Sequence, residues 1–314
     1  MGAVRVPVVR LIWAPVMPIQ TGELPSLPGL VRVELGGHAK VAVFSRGRLR
    51  QLDKTLDELM RLPAAEMSSV LERATAEIDP AECSLLAPVE SQEVWASGVT
   101  YLQSRAARME ESSSSDAYAR VYAAQRPELF FKSAGWRVVG HGGEIGARPD
   151  STWTVPEPEL AVLSNSRGEI VAYACANDMS SRSIEGENPL YLPQAKVYDR
   201  SCSIGPAAVL ATDSDPSHAE IRMTITRSGK EVFTGTANVS QMVREPAELS
   251  AVLHSAYPLP EGAWLLTGTS LVPPPPYTAA AGDVIVIEIE NLGRLLNRVV
   301  VVPHSGAGAP PRGA

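Results

Sequence analysis

The apolar positions of this chain keep a two-residue period over most of its length, and a helical period intrudes only in short stretches. VRVEL (31–35) and KVAVFS (40–45) alternate or run apolar and predict short strands. In LDKTLDELMRLPAAEMSSVLERATAEI (52–78), Leu52, Leu56, Leu59 and Met60 then recur at helical spacing. That spacing predicts an amphipathic helix broken at Pro63, which lacks the N–H a helix interior needs. Beyond residue 91 strand patterns dominate. EIVAYACAND (169–178), AEIRMTITRSGKEVFTG (219–235) and GDVIVIEIENLGRLLNRVVVV (282–302) are β-branched runs bounded by turn residues. Arg227-Ser228-Gly229-Lys230 reads as a hairpin turn between two of them. Helices are expected at about 100–109, at 116–125 behind the serine run, and from Pro246, a favourable first-turn proline. The pattern predicts an α+β, mostly-β chain: a small N-terminal α+β module over 1–90, a large β domain over 91–303, and a disordered tail over 304–314.

Composition narrows the function classes. Of the 314 residues, 45% are hydrophobic, enough for a real core, and the net charge is −7. An acidic balance with pI about 5.4 argues against nucleic acid or an acidic membrane as partner. Apolar runs such as Val299–Val302 fall far short of the roughly 20 residues of a membrane helix. Arg5, Arg10 and the early prolines argue against a signal peptide. Cys83, Cys175 and Cys202 are odd in number and widely spaced, as expected of reduced thiols in a cytoplasmic protein.

The candidate chemistry sits in WTVPEPELAV (153–162), where Glu157 and Glu159 interrupt an apolar strand, each preceded by a proline. Side chains two apart in a strand share a face, so the carboxylates stand together and repel. A turn at Asn165–Gly168 and a returning strand bring Asp178 back to the pair. Three converging carboxylates make a cage for a hard divalent cation such as Mg²⁺ or Mn²⁺. The alternative places both glutamates on the solvent face of an edge strand, where prolines are also tolerated. Spacing alone leaves both readings standing. The five histidines are scattered, which disfavours zinc, and no Ser-His-Asp grouping or phosphate loop is present.

VPEPELAVL, NDMSSRS, QAKVYDRSCSIGP, LLTGTSLVP and AGDVIVIEIENLGRLLNRV, in that order, resemble the fumarylacetoacetate hydrolase superfamily from about Val94 to Val302. The resemblance implies a mixed β-sandwich roll with a variable N-terminal part, assembled as a homodimer or larger. It also implies Mg²⁺, with Mn²⁺ or Ca²⁺ as alternatives, on Glu157, Glu159 and Asp178. One departure is informative. Hydrolases of the family carry G-x-N-Y-x-x-H-x-x-E, whose His and Glu activate a water. Aligning Tyr101 in GVTYLQSRAARMEES puts Ser104 and Ala107 at those two positions, and neither is a general base.

The remaining pattern resembles the sugar-acid branch. It implies a hydro-lyase that removes water from a 2-keto-3-deoxy sugar acid such as 2-keto-3-deoxy-D-arabinonate, giving 2,5-dioxopentanoate. A 2-oxo acid chelated to the metal has acidified C3 protons, and no water nucleophile is needed. Lys196 and Glu128 are the expected acid–base groups. Thr269, Arg182 and Ser104 are expected to bind substrate, with Arg182 and the GENPLYLPQ loop (186–194) at the pocket mouth. Against these stand plainer readings: a surface lysine beside Tyr198, a turn-capping Glu128, and a tight turn over Thr267–Ser270. At the level of function, hydrolysis of an acylpyruvate-like 2-oxo acid and a non-catalytic metal-stabilised binding module are the alternatives.

Overall fold

The computed structural model describes residue 19 and residues 24–101, 121 and 124–303. The helices expected at about 100–109 and 116–125 fall almost wholly outside these residues. The expected tail, Ser104 and Ala107 also lie outside them.

Strands β1 (Gly29–Leu35), β2 (His38–Ser45) and β3 (Arg48–Leu52) form consecutive hairpins. Helix α1 (Leu56–Met60) begins at Thr55, whose side chain accepts from the Glu58 N–H while Glu58 caps back, a reciprocal capping box. Leu52 therefore ends β3 and does not open a helix, a correction to the helical spacing read from it. Pro63 breaks the helix as expected and caps α2 (Ala64–Leu71). The stretch then ends in a strand, β4 (Ala76–Ile78). Next come β5 (Cys83–Leu86), β6 (Glu93–Ala96), β7 (Phe130–Ala134) and β8 (Glu144–Ala147).

The 153–162 segment is two strands, β9 (Thr154–Val155) and β10 (Pro158–Ser164). Pro156 and Pro158 cannot donate to a ladder, which explains the break. After β10 follow β11 (Ile170–Asp178), β12 (Ser180–Ser181), α3 (Arg182–Glu187), α4 (Leu192–Lys196) and β13 (Cys202–Leu210). The rest comprises β14 (Glu220–Arg227), β15 (Lys230–Asn238), α5 (Pro246–His254), β16 (Ala263–Leu266), β17 (Val284–Ile289) and β18 (Gly293–Val301). The expected hairpin turn joins β14 to β15, with Ser228 (φ 52°) and Gly229 (φ 76°) both left-handed.

One sheet runs β4-β3-β2-β1-β13-β11-β10-β16-β6-β7, with β5 also on β1, so it is continuous across residue 90. It also curls back on itself. Beyond β7, Val139 donates to Cys202 O (2.9 Å) and accepts from Ile204 N (3.1 Å), both on β13. Strands β13, β11, β10, β16, β6 and β7 thus wrap a roll. Ala172, Ala174 and Ala176 of β11, Ala161 and Leu163 of β10, Ile204 and Trp264 share its interior, and α1 and α2 pack into the same core. The opposite face of β11, through Tyr173 and Cys175, packs on the second sheet, β15-β14-β17-β18-β8. Strand β11 is buried on both faces, so its pattern reads as a continuous apolar run rather than an alternation. Among the described residues no helix is long and apolar enough to cross a membrane.

Candidate active site

Strand β10 is interior to the roll, between β11 and β16, and its register pairs Glu159 with Ala176. Asp178 closes β11 two residues further on, so the two carboxylates leave the same face of adjacent strands. Glu157 sits just before β10, and its carbonyl accepts from the Asp178 N–H at 2.9 Å. One carboxylate oxygen from each of Glu157, Glu159 and Asp178 lies within 4.8 Å of the others. All three residues are at most 2% exposed, so the solvent-face alternative is wrong. The reason is topological: β10 is a central strand, not an edge.

Buried cations offset the repulsion. Lys196 Nζ, at the end of α4, lies 2.8 Å from Glu157 Oε2 and 2.9 Å from Asp178 Oδ2. Arg182, the first residue of α3, donates to Glu157 Oε1 through Nε (3.0 Å) and Nη2 (2.9 Å). The other Asp178 oxygen faces Lys132 Nζ of β7 at 2.5 Å. Lys132 is fully buried and also donates to the carbonyls of Met179 and Lys196. Two of the carboxylates, Glu157 and Asp178, thus face three buried cations, which lets charges sit where desolvation would otherwise expel them. Glu159 accepts instead from the Gly268 N–H at 2.6 Å. Burial first, then Asp178, hold its carboxyl well above the usual carboxylate range.

These residues open onto a narrow cleft that Ser97, Gly98, Val99, Glu128, Phe130, Leu192 and Thr269 also line. Lys196 Nζ stands 5.9 Å from the Phe130 ring centroid, within cation–π range. The structure therefore brings Glu157, Glu159, Asp178, Lys196, Glu128, Thr269 and Arg182 together. Lys196 is 2% exposed, which rules out the surface-lysine reading. Arg182 is 5% exposed and braces Glu157, so it belongs to the floor of the cleft rather than its mouth. From the loop expected at the mouth, Leu192 lines the cleft, while Leu190 is 82% exposed. Lys132 is the residue that sequence reasoning missed. Its signal was the two-residue step from Phe130, which puts both side chains on one face of β7.

The donor set fits a hard divalent cation. Three carboxylate oxygens converge, they are buried, and no soft ligand enters the cluster. The nearby Cys202 thiol is pushed up to about 12, mainly by burial, and stays protonated. Among the described histidines, His254 bonds Ser164 Oγ at 2.8 Å and His141 the Arg294 carbonyl at 2.8 Å; neither belongs to the triad.

Residues 93–300 match the model of the fumarylacetoacetate (FAA) hydrolase C-terminal domain. The chain belongs to the fumarylacetoacetate hydrolase family. It is 53% identical over 216 residues to a probable 2-keto-3-deoxyxylonate dehydratase of Haloferax volcanii, covering 68% of this chain and 74% of that one. It is 41% identical over 217 residues to the 2-dehydro-3-deoxy-D-arabinonate dehydratase of Saccharolobus solfataricus, covering 68% of this chain and 73% of the relative. A solved 2-keto-3-deoxy-D-arabinonate dehydratase, complexed with magnesium and 2,5-dioxopentanoate, superposes with TM-score 0.78 at 32% identity. That match spans 88% of this chain and 99% of the other.

Proposed function

We propose that this family member is a magnesium-dependent hydro-lyase that converts a 2-keto-3-deoxy pentonate to 2,5-dioxopentanoate and water. The observation that carries the reading is the meeting of the acidic triad with the buried Lys196 amine in one cleft. The sequence supports it further, since Ser104 and Ala107 stand where a hydrolase of the family holds its water-activating pair. Glu157, Glu159 and Asp178 would hold the metal. When bound, Mg²⁺ supplies Lewis-acid polarisation of the 2-oxo group, which acidifies C3.

The chain's own residues do the rest. Thr269 and Arg182 orient the anionic substrate, Thr269 towards its carboxylate. Lys196 and Glu128 divide the proton work: one takes a proton from C3, and the other gives a proton to the C4 hydroxyl, which leaves as water. The resulting C3–C4 double bond migrates towards C5 as protons move between solvent and carbon, and the C5 enol becomes the aldehyde. Atoms balance with no added water. Phe130 and Leu192 supply apolar wall beside these charged groups. Ser104 is assigned to substrate contact on the family alignment alone.

By the same resemblance we assign a homodimer or larger assembly, with a division at residue 90 between a variable N-terminal part and the catalytic domain; the odd, widely spaced cysteines support a cytoplasmic protein. The test is a panel of 2-keto-3-deoxy pentonates and hexonates incubated with protein and Mg²⁺ and scored for semialdehyde. Formation of 2,5-dioxopentanoate from a pentonate is expected. No product from any member would sink the reading.

A further inference from the structure

The turn Ser97–Thr100, directly after β6, ties together parts of the cleft that come from distant stretches of chain. Ser97 Oγ donates to the Glu128 carbonyl at 2.9 Å, and Ser97 N to Leu266 O at 2.9 Å. Thr100 Oγ1 donates to Thr267 O at 2.6 Å, one residue before the Gly268 N–H that holds Glu159. Between them Val99 is buried with φ 56°, a left-handed conformation that a β-branched residue rarely adopts. Strain of this kind persists only where the surroundings over-determine it.

Gly98 sits at the centre of this turn, yet its own φ is not in the left-handed region, so conformation does not explain a glycine here. Space does. A β-carbon at residue 98 would lie 2.0 Å from Glu128 Oε2 and 2.9 Å from its Cδ. The Glu128 carboxylate therefore lies over the bare α-carbon of Gly98, and both residues line the cleft. Ser97 fixes the Glu128 backbone, and the missing side chain at 98 admits its carboxylate.

We propose that Gly98 is a positioning residue for Glu128, acting by leaving open the place in the cleft wall that this carboxylate occupies. The proposal rests on the reading of Glu128 as an acid–base group. The clash falls on the far end of a flexible side chain, so Gly98→Ala displaces Glu128 rather than unfolding the turn. Activity and stability should separate.

The test compares wild type, Gly98→Ala, Glu128→Ala and the double variant by kcat, KM, Mg²⁺ affinity from calorimetry, and Tm. Gly98→Ala should lower kcat about 100-fold, as misplacement of a reacting group by an ångström or so does, with Mg²⁺ affinity unchanged. With Glu128 already alanine, Gly98→Ala should cost nothing further in kcat or Tm, because the two act as one unit. A Gly98→Ala protein that folds only in the Glu128→Ala background would also support the proposal. Equal losses in both backgrounds, failure to fold in both, or wild-type kcat for Gly98→Ala would overturn it. Wild-type kcat for Glu128→Ala would instead sink the reading of Glu128 itself, and the positioning role with it.

Discussion

Lys132 on β7 reaches Asp178 on β11 at 2.5 Å, although β10, β16 and β6 lie between their strands in the sheet. Only a sheet curled into a roll allows that contact. Because the pair is buried, removing the amine strips one Asp178 oxygen of its counter-charge and leaves Lys196 alone to offset a carboxylate beside two others. Lys132→Met should cost roughly 3–5 kcal/mol of stability in urea titrations of metal-free protein. Added Mg²⁺ should return part of it, since a ligand bound only by the folded state stabilises that state. A loss below about 1 kcal/mol, the range of exposed pairs, would show that the contact is not a buried ion pair.

The carboxylate triad has no redundancy. Glu157→Gln, Glu159→Gln and Asp178→Asn should each weaken Mg²⁺ binding about 100-fold or more by isothermal calorimetry. Glu159→Gln should leave the metal-free fold at least as stable as wild type, because it removes a carboxylate whose charged form burial opposes.

That same group sets a pH dependence. Glu159 has its folded carboxyl raised above the ordinary 4.5, first by burial and then by Asp178. In metal-free protein the folded state therefore keeps a proton that the unfolded chain releases. Stability should fall as pH rises above about 4.5 towards the raised value. Tm of chelated wild type should show this decline, and Glu159→Gln should lack that component. Binding Mg²⁺ requires the carboxylate, so affinity should rise with pH. Calorimetry in buffers of different ionisation enthalpy should detect released protons. Affinity independent of pH from about 5 to about 8, above the range where ordinary carboxylates titrate, would contradict the assignment.

Lys196→Ala should lower kcat by about 100-fold or more while leaving KM and Mg²⁺ affinity within severalfold, the signature of an interaction made in the transition state. If kcat were unchanged, Lys196 would be only a counter-ion to Glu157 and Asp178.

Much of the site was legible in the sequence because strand geometry is local. The two-residue step from Glu157 to Glu159 and a hairpin returning at Asp178 suffice to gather three carboxylates. The motif order then singled out Lys196 and Thr269. What stayed hidden depended on long-range curvature. Nothing near Lys132 announces that the chain beyond β7 closes on β13 through Val139, and nothing near Arg182 tells a pocket floor from its mouth. Leu52 misled for a different reason: it fits a helical period, but the capping box at Thr55 starts the helix four residues later. The 153–162 stretch, read as one strand, is divided at Pro156 and Pro158, and its first piece pairs separately, β9 with β12.

The central claim, dehydration rather than hydrolysis, is tested most directly by following the reaction in D2O by NMR. The protein is given Mg²⁺ with 2-keto-3-deoxy-D-arabinonate in one tube and an acylpyruvate in another. The expected result is 2,5-dioxopentanoate carrying solvent deuterium at C4, where the enol is protonated, and an acylpyruvate that binds competitively but stays intact. Efficient cleavage of the acylpyruvate, with the pentonate unchanged, would contradict the account and require a water-activating group other than the missing pair at Ser104 and Ala107.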